Sequence, residues 1–284
     1  FPDRLFAPPR RNTLMADGAN PVYDKEIHGE IFSQGTLMLR LVIQISMLLA
    51  IPLMGVLLFW LTPYSPWFAV YVIVFNMLVG PVFLAGTMTG ERERQTLDLL
   101  LTTTLSPWRI LSGKFIVGFR VAIVLTSFLV WPMLLGVLLN TDFYGSLPLV
   151  AGLFAIPVVV CLVNALVAMT ASLLHRRTVM ALTTTYSVLI ALYAVPPGFQ
   201  ALADLLTLSP QSEQALGWAG VASPISALLA LPMGADLLHG ADRADRYAGD
   251  PWLVLGYFLF SGWVVLVCAT LIGWKLRRMA GNAD

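Results

Sequence analysis

The sequence predicts an all-α, polytopic membrane protein with six transmembrane helices, and three observations predict it. Of its 284 residues 58% are hydrophobic and 12% charged, whereas a soluble globular chain carries about 25% charged residues. No Asp, Glu, Lys or Arg stands between Arg40 and Glu91, a run too long for one span of ~20 residues. Fifteen of the 17 Lys and Arg residues fall on one side of the resulting spans, and positive charge is retained on the cytoplasmic face. A mean hydropathy of +0.79 agrees.

Residues 1–36 form a polar, basic segment before the first span. Pro2, Pro8 and Pro9 make its beginning a flexible tail. From Pro21, Val22, Ile27 and Ile31 alternate with Asp24, Lys25, Glu26 and Glu30. That pattern predicts an amphipathic helix, either lying in the membrane surface or simply solvated, that leads into the first span. The first span covers 38–61 and the second 67–89. Thr62-Pro63-Tyr64-Ser65-Pro66-Trp67 separates them, while Pro52 and Gly80-Pro81 are expected to kink them.

The third span covers 115–140 and ends at Asn140-Thr141-Asp142. The fourth, 148–173, stops at His175-Arg176-Arg177, and the fifth, 179–195, at Pro196-Pro197-Gly198. The sixth, 252–274, is followed at once by Lys275, Arg277 and Arg278, so that a six-span domain occupies 37–278 and a short tail 279–284. The longest polar connection, 196–251, contains two apolar patches, Phe199 to Leu208 and Ser223 to Leu231, each too short to cross a bilayer. Only Arg243 and Arg246 lie on its side of the membrane. Both termini are therefore expected in the cytoplasm and this connection outside.

Between the second and third spans lies Gly90 to Lys114, GERERQTLDLLLTTTLSPWRILSGK. Arg94 and Asp98 are spaced for an i,i+4 pair. Leu97, Leu100, Leu101 and Leu105 recur at helical spacing, which predicts a short amphipathic helix over 90–105. Ser106-Pro107 then reads as N-cap and first position of a new helix. Trp108 and Lys114 suit a membrane surface.

Several chemistries find no residues. The spans contain no carboxylate, which a proton- or sodium-coupled carrier needs at membrane depth. His28, His175 and His239 are scattered over both sides and cannot form one site. Cys161 and Cys268 sit in apolar runs, so neither a disulfide framework nor a metal site is indicated. Gly113-Lys114 lacks the Ser or Thr and the upstream Gly of a phosphate-binding loop. Gln44, Asn76, Asn164 and Thr184 are the polar residues available to line a path, with interhelical hydrogen bonding the plainer role. No nucleic-acid partner is expected.

The run Gly90-Glu91-Arg92-Glu93-Arg94-Gln95-Thr96-Leu97-Asp98-Leu99-Leu100-Leu101, followed by Ser106-Pro107 and Gly113-Lys114, resembles the permease subunits of type-two class ABC exporters. Asn20-Pro21, Lys25-Glu26 and Ser223-Pro224 are supporting matches, whereas the tail before Asn20 is longer than a minimal member needs. The local motif is confined to about residues 90–114 and is silent on cargo. The resemblance implies an inner-membrane permease with no cofactor of its own, driven by a separate ATPase subunit that binds ATP and Mg. It implies that 90–105 is a coupling helix, with Glu91, Arg92, Glu93, Arg94, Leu97, Asp98, Leu100 and Leu101 contacting that subunit. His175, Arg176 and Arg177 would form a second, smaller contact. The family works in pairs, so the second permease is expected as an identical chain or, since the sequence opens at Phe1, as a related half fused upstream. A permease-like subunit that transmits force without transport is the alternative, and a lipid-modifying membrane enzyme a weaker one.

Overall fold

The computed structural model describes residues 21–22, 30–60, 66–96, 106–139, 147–199, 218–231 and 251–280. Among them every regular element is helical: α1 (Glu30–Phe59), α2 (Pro66–Glu93), α3 (Pro107–Leu139), α4 (Leu147–Leu174), α5 (Thr178–Tyr193), a 3-10 turn (Gly220–Ala222), α6 (Pro224–Leu229) and α7 (Pro251–Ala280). Among the described residues, four helices are long and apolar enough to cross a membrane: Trp67–Glu93, Pro107–Leu139, Val150–Leu174 and Trp252–Arg278. The fold is that of a helical membrane protein.

The predicted fifth span is a shorter apolar helix, Thr178–Tyr193, whereas the predicted first span falls largely within the 30-residue α1, whose described apolar stretch is Gln44–Leu57. Sixteen residues of α5 rise about 24 Å, less than the ~30 Å hydrocarbon layer. Pro196 and Pro197 do not end the helical path as predicted. The chain breaks for one residue at Ala194 and is helical again over 195–199, because proline is tolerated in a first turn, where its missing N–H is not needed. The amphipathic segment before the first span is not separate from it in its last part, since α1 runs unbroken from Glu30.

α2 occupies the centre and packs on α3, α4 and α5. α7 lies against α4 and the 3-10 turn, and α1 mainly against α3. Among the described residues, two of three buried clusters join most of the helices. The larger includes Phe68, Val72, Leu129, Ile156, Leu189 and Tyr257. The smaller, at the end where the basic residues gather, joins Leu84, Met88, Leu111, Met169, Ala181 and Leu276. Close approach of α2 and α3 depends on Gly118, where an added Cβ would lie 2.8 Å from Leu84 Cγ. α6, the second apolar patch of the long connection, is packed inward with Ala227 and Leu228 fully buried. The first patch, beyond Phe199, lies outside the described residues, as does the polar loop 236–250.

Pro52 and Pro81 lie inside α1 and α2. A proline opens the preceding turn of a helix, and in an apolar bundle the freed backbone groups are satisfied by neighbours. Here the Tyr186 hydroxyl of α5 donates to the Leu78 carbonyl beside Pro81.

Candidate functional site

The last turn of α2 carries the charge cluster. Gly90–Glu93 continue α2, where the sequence reading begins a separate helix at residue 90. The helix then closes in a Schellman motif. Gln95 takes a left-handed conformation at φ 57°. Its N–H donates to the Arg92 carbonyl at 3.1 Å, and the Thr96 N–H to the Glu91 carbonyl at 3.0 Å. Leu97, Asp98, Leu100, Leu101 and Leu105, hence the leucine stripe and the Arg94–Asp98 pair, lie outside the described residues.

Successive helical residues point about 100° apart, so Glu91, Arg92 and Glu93 reach three different neighbours. Glu91 Oε1 pairs with Lys114 Nζ of α3 at 3.0 Å, with side chains 16% and 4% exposed. Its Oε2 accepts from the Thr96 hydroxyl. Lys114 is thus an interior ion-pair partner, not the lipid-surface cation that the sequence suggests. The 33-residue helix α3 begins eight positions earlier than the predicted span, at Pro107. Ser106 caps it as expected, its Oγ 3.4 Å from the Arg109 N–H, and Lys114 therefore sits two turns inside.

Arg92 sends one guanidinium nitrogen to the Leu173 carbonyl at 3.1 Å and the other to the His175 carbonyl. These acceptors belong to the end of α4, where carbonyls lack intrahelical donors and a cation complements the helix dipole. Glu93 does the converse at the start of α5. Its carboxylate accepts from the Thr178 N–H at 2.7 Å and from the Thr178 hydroxyl at 3.0 Å. Arg177, the residue preceding α5, makes no side-chain cap of its own. The cap comes instead from another helix.

His175 belongs to the same assembly, with Nε2 2.9 Å from Thr184 Oγ1. Thr184 is therefore at the basic end and takes no part in the interior polar group. Arg94, Arg176 and Arg177 are exposed, and Arg176 is close enough to Arg92 to repel it.

A second polar cluster lies inside the bundle. Tyr193 donates to Asn164 Oδ1 at 2.8 Å, Asn164 Nδ2 to Asn76 Oδ1 at 2.7 Å, and Asn76 Nδ2 to Thr126 Oγ1. Thr126 in turn donates to the Ala122 carbonyl at 2.8 Å. The chain joins α2, α3, α4 and α5, and Asn76 and Asn164 are 3% and 1% exposed. The structure brings these two predicted residues together as packing partners. Gln44 is not with them and is exposed on α1.

Ser223 caps α6, accepting from the Ile225 N–H at 3.2 Å, and donates to the Tyr193 carbonyl at 2.8 Å. Sequence reasoning missed Thr96, Thr126, Thr178 and Tyr193. Thr and Tyr inside or beside apolar runs look like filler until their neighbours are known. Ser223-Pro224 was the available signal for the Tyr193 contact.

No group of three His, Cys, Asp or Glu among the described residues could hold a metal ion. Both cysteines are free and buried. No protein-family model matches this chain, and no curated protein is similar to it.

Proposed function

We propose that the chain is the membrane-spanning subunit of an ATP-driven transporter of the ABC type, an exporter, powered by a separate ATPase subunit that holds ATP and Mg. The observation that supports it best is the basic end of the bundle. Glu91, Arg92 and Glu93 brace α3, α4 and α5 and leave Arg94, Arg176 and Arg177 exposed beside the exit of α2. A braced charged surface at one end of an apolar bundle suits the docking of a soluble partner. The resemblance of residues 90–114 to a coupling segment names the class of that partner.

In this reading α1 and α5 complete six spans, the basic end and both termini face the cytoplasm, and the bundle sits in a bacterial inner membrane. The transport path forms between two such subunits, identical or related, because the interior asparagines of one chain are consumed by each other. That same observation favours a second reading, in which the subunit transmits force without a path of its own.

Purified chain is expected to hydrolyse no ATP until the ATPase subunit is added, and Leu97→Glu or Leu100→Glu to detach that subunit at normal membrane levels. A carboxylate placed in an apolar groove costs several kcal/mol. Hydrolysis by the chain alone, or full retention of the subunit and of transport in both variants, overturns the proposal. Cargo accumulation in vesicles separates export from force transmission.

A further inference from the structure

Arg92 and Glu93 are adjacent in sequence, yet they hold opposite sides of one turn. Arg92 binds carbonyls where α4 ends, and Glu93 binds the first amide of α5, with only His175, Arg176 and Arg177 between. Glu91 adds the third link, tying α3 through Lys114 and the chain leaving α2 through Thr96. A second row of bonds stiffens the same place: Thr89 Oγ1 lies 3.0 Å from Thr178 Oγ1, and Ser172 Oγ accepts from the Met88 N–H at 3.0 Å. The side chains engaged in this way include the cluster's exposed carboxylate, Glu93. Among the described residues, the exposed charges beside it are cationic: Arg94 from the end of α2, and Arg176 and Arg177 from the turn.

We infer that the Glu91–Arg92–Glu93 run is a clamp, not a contact surface, and that it fuses the exit of α2 and the α4–α5 turn into one rigid platform whose outward arginines take a carboxylate-rich patch of the ATPase subunit. Glu91, Arg92 and Glu93 are positioning residues, and Arg94, Arg176 and Arg177 are the ones that touch. A push on the segment after Thr96 then displaces the inner ends of α3, α4 and α5 together. The use of that movement rests on the transporter reading, whereas the clamp stands on the geometry alone.

Distance measurement between spin labels at Arg94→Cys and Arg177→Cys, in the full chain in lipid nanodiscs, reads the clamp directly. One narrow distribution is expected, and a broadened one when Glu93→Ala or Arg92→Lys is added. Arg92→Lys keeps the charge but loses the fork that serves two carbonyls. Unchanged widths in both variants overturn the clamp, whatever the fate of the transporter reading.

The unlabelled chain with the ATPase subunit tests the division of roles. Glu93→Ala is expected to retain the subunit on co-purification but to lower stimulated ATP turnover by about tenfold, equivalent to ~1.4 kcal/mol. Glu93→Gln, which keeps an acceptor for the Thr178 N–H, restores most of it. Arg176→Glu with Arg177→Glu releases the subunit. Release by Glu93→Ala and retention by the double arginine variant would overturn the assignment. A chain that binds no ATPase subunit at all sinks the transporter reading and the platform's proposed occupant, and the label distances still decide the clamp.

Discussion

Lys114 and Glu91 form a 3.0 Å ion pair between the third turn of α3 and the last turn of α2, and Lys114 is almost wholly buried. Desolvating an ammonium group is repaid only when its partner and further hydrogen bonds are in place. Thr96 supplies such a bond to the second carboxylate oxygen of Glu91. The pair therefore acts as a fixed rivet between two helices.

Breaking that rivet from one side is expected to be worse than removing it. Lys114→Met strands the Glu91 carboxylate and should cost about 3 kcal/mol, whereas Lys114→Met with Glu91→Leu should recover most of the loss. Thermal unfolding of the detergent-solubilised chain checks this. Additive losses in the double variant would mean that the two groups do not interact.

The turn that ends α2 makes a prediction of opposite sign. Gln95 adopts φ 57°, a conformation that glycine takes freely and a side chain resists. Gln95→Gly is expected to stabilise the chain by about 0.5–1 kcal/mol, since relief of strain exceeds the added freedom of the unfolded chain. Gln95→Val should destabilise it, because β-branched residues tolerate this region least. Equal melting temperatures for the three would show that residue 95 does not close the helix in this way.

The helices are legible in the sequence because lipid imposes long apolar runs, and the breaks at 62–66 and 140–146 carry proline or polar residues in plain view. The N-cap at Ser106 is legible for a similar reason, since a serine before a proline has one favoured use. The direction of each charge is not. Glu91, Arg92 and Glu93 read as a surface cluster, yet their partners lie 23 residues away at Lys114 and 83 and 85 residues away at His175 and Thr178. Nothing local distinguishes a solvated carboxylate from one that caps a distant helix. The asparagines are legible as polar residues in spans, but Asn76 and Asn164 can be assigned to each other only when α2 and α4 are seen to lie side by side.

That interior network is expected to contribute to stability. Asn164 both accepts from Tyr193 and donates to Asn76. Asn164→Ala leaves two buried groups without their partner and should cost about 1–3 kcal/mol. Tyr193→Phe removes one donor and should cost less. Replacing the exposed Thr183, also within a helix, should stay within about 0.5 kcal/mol. Denaturant unfolding in mixed micelles ranks the three. A loss at Thr183 as large as at Asn164 would contradict the network's role.

The central claim is that the exit of α2 and the α4–α5 turn present one surface to one soluble partner. Photo-activated cross-linking tests it most directly, with a benzophenone amino acid placed at Arg94 in one sample and at Arg176 in another, in native membranes. The account predicts that both positions capture the same protein, identified by mass spectrometry as carrying a phosphate-binding loop. Capture of different proteins at the two positions, or only lipid at both, would contradict it.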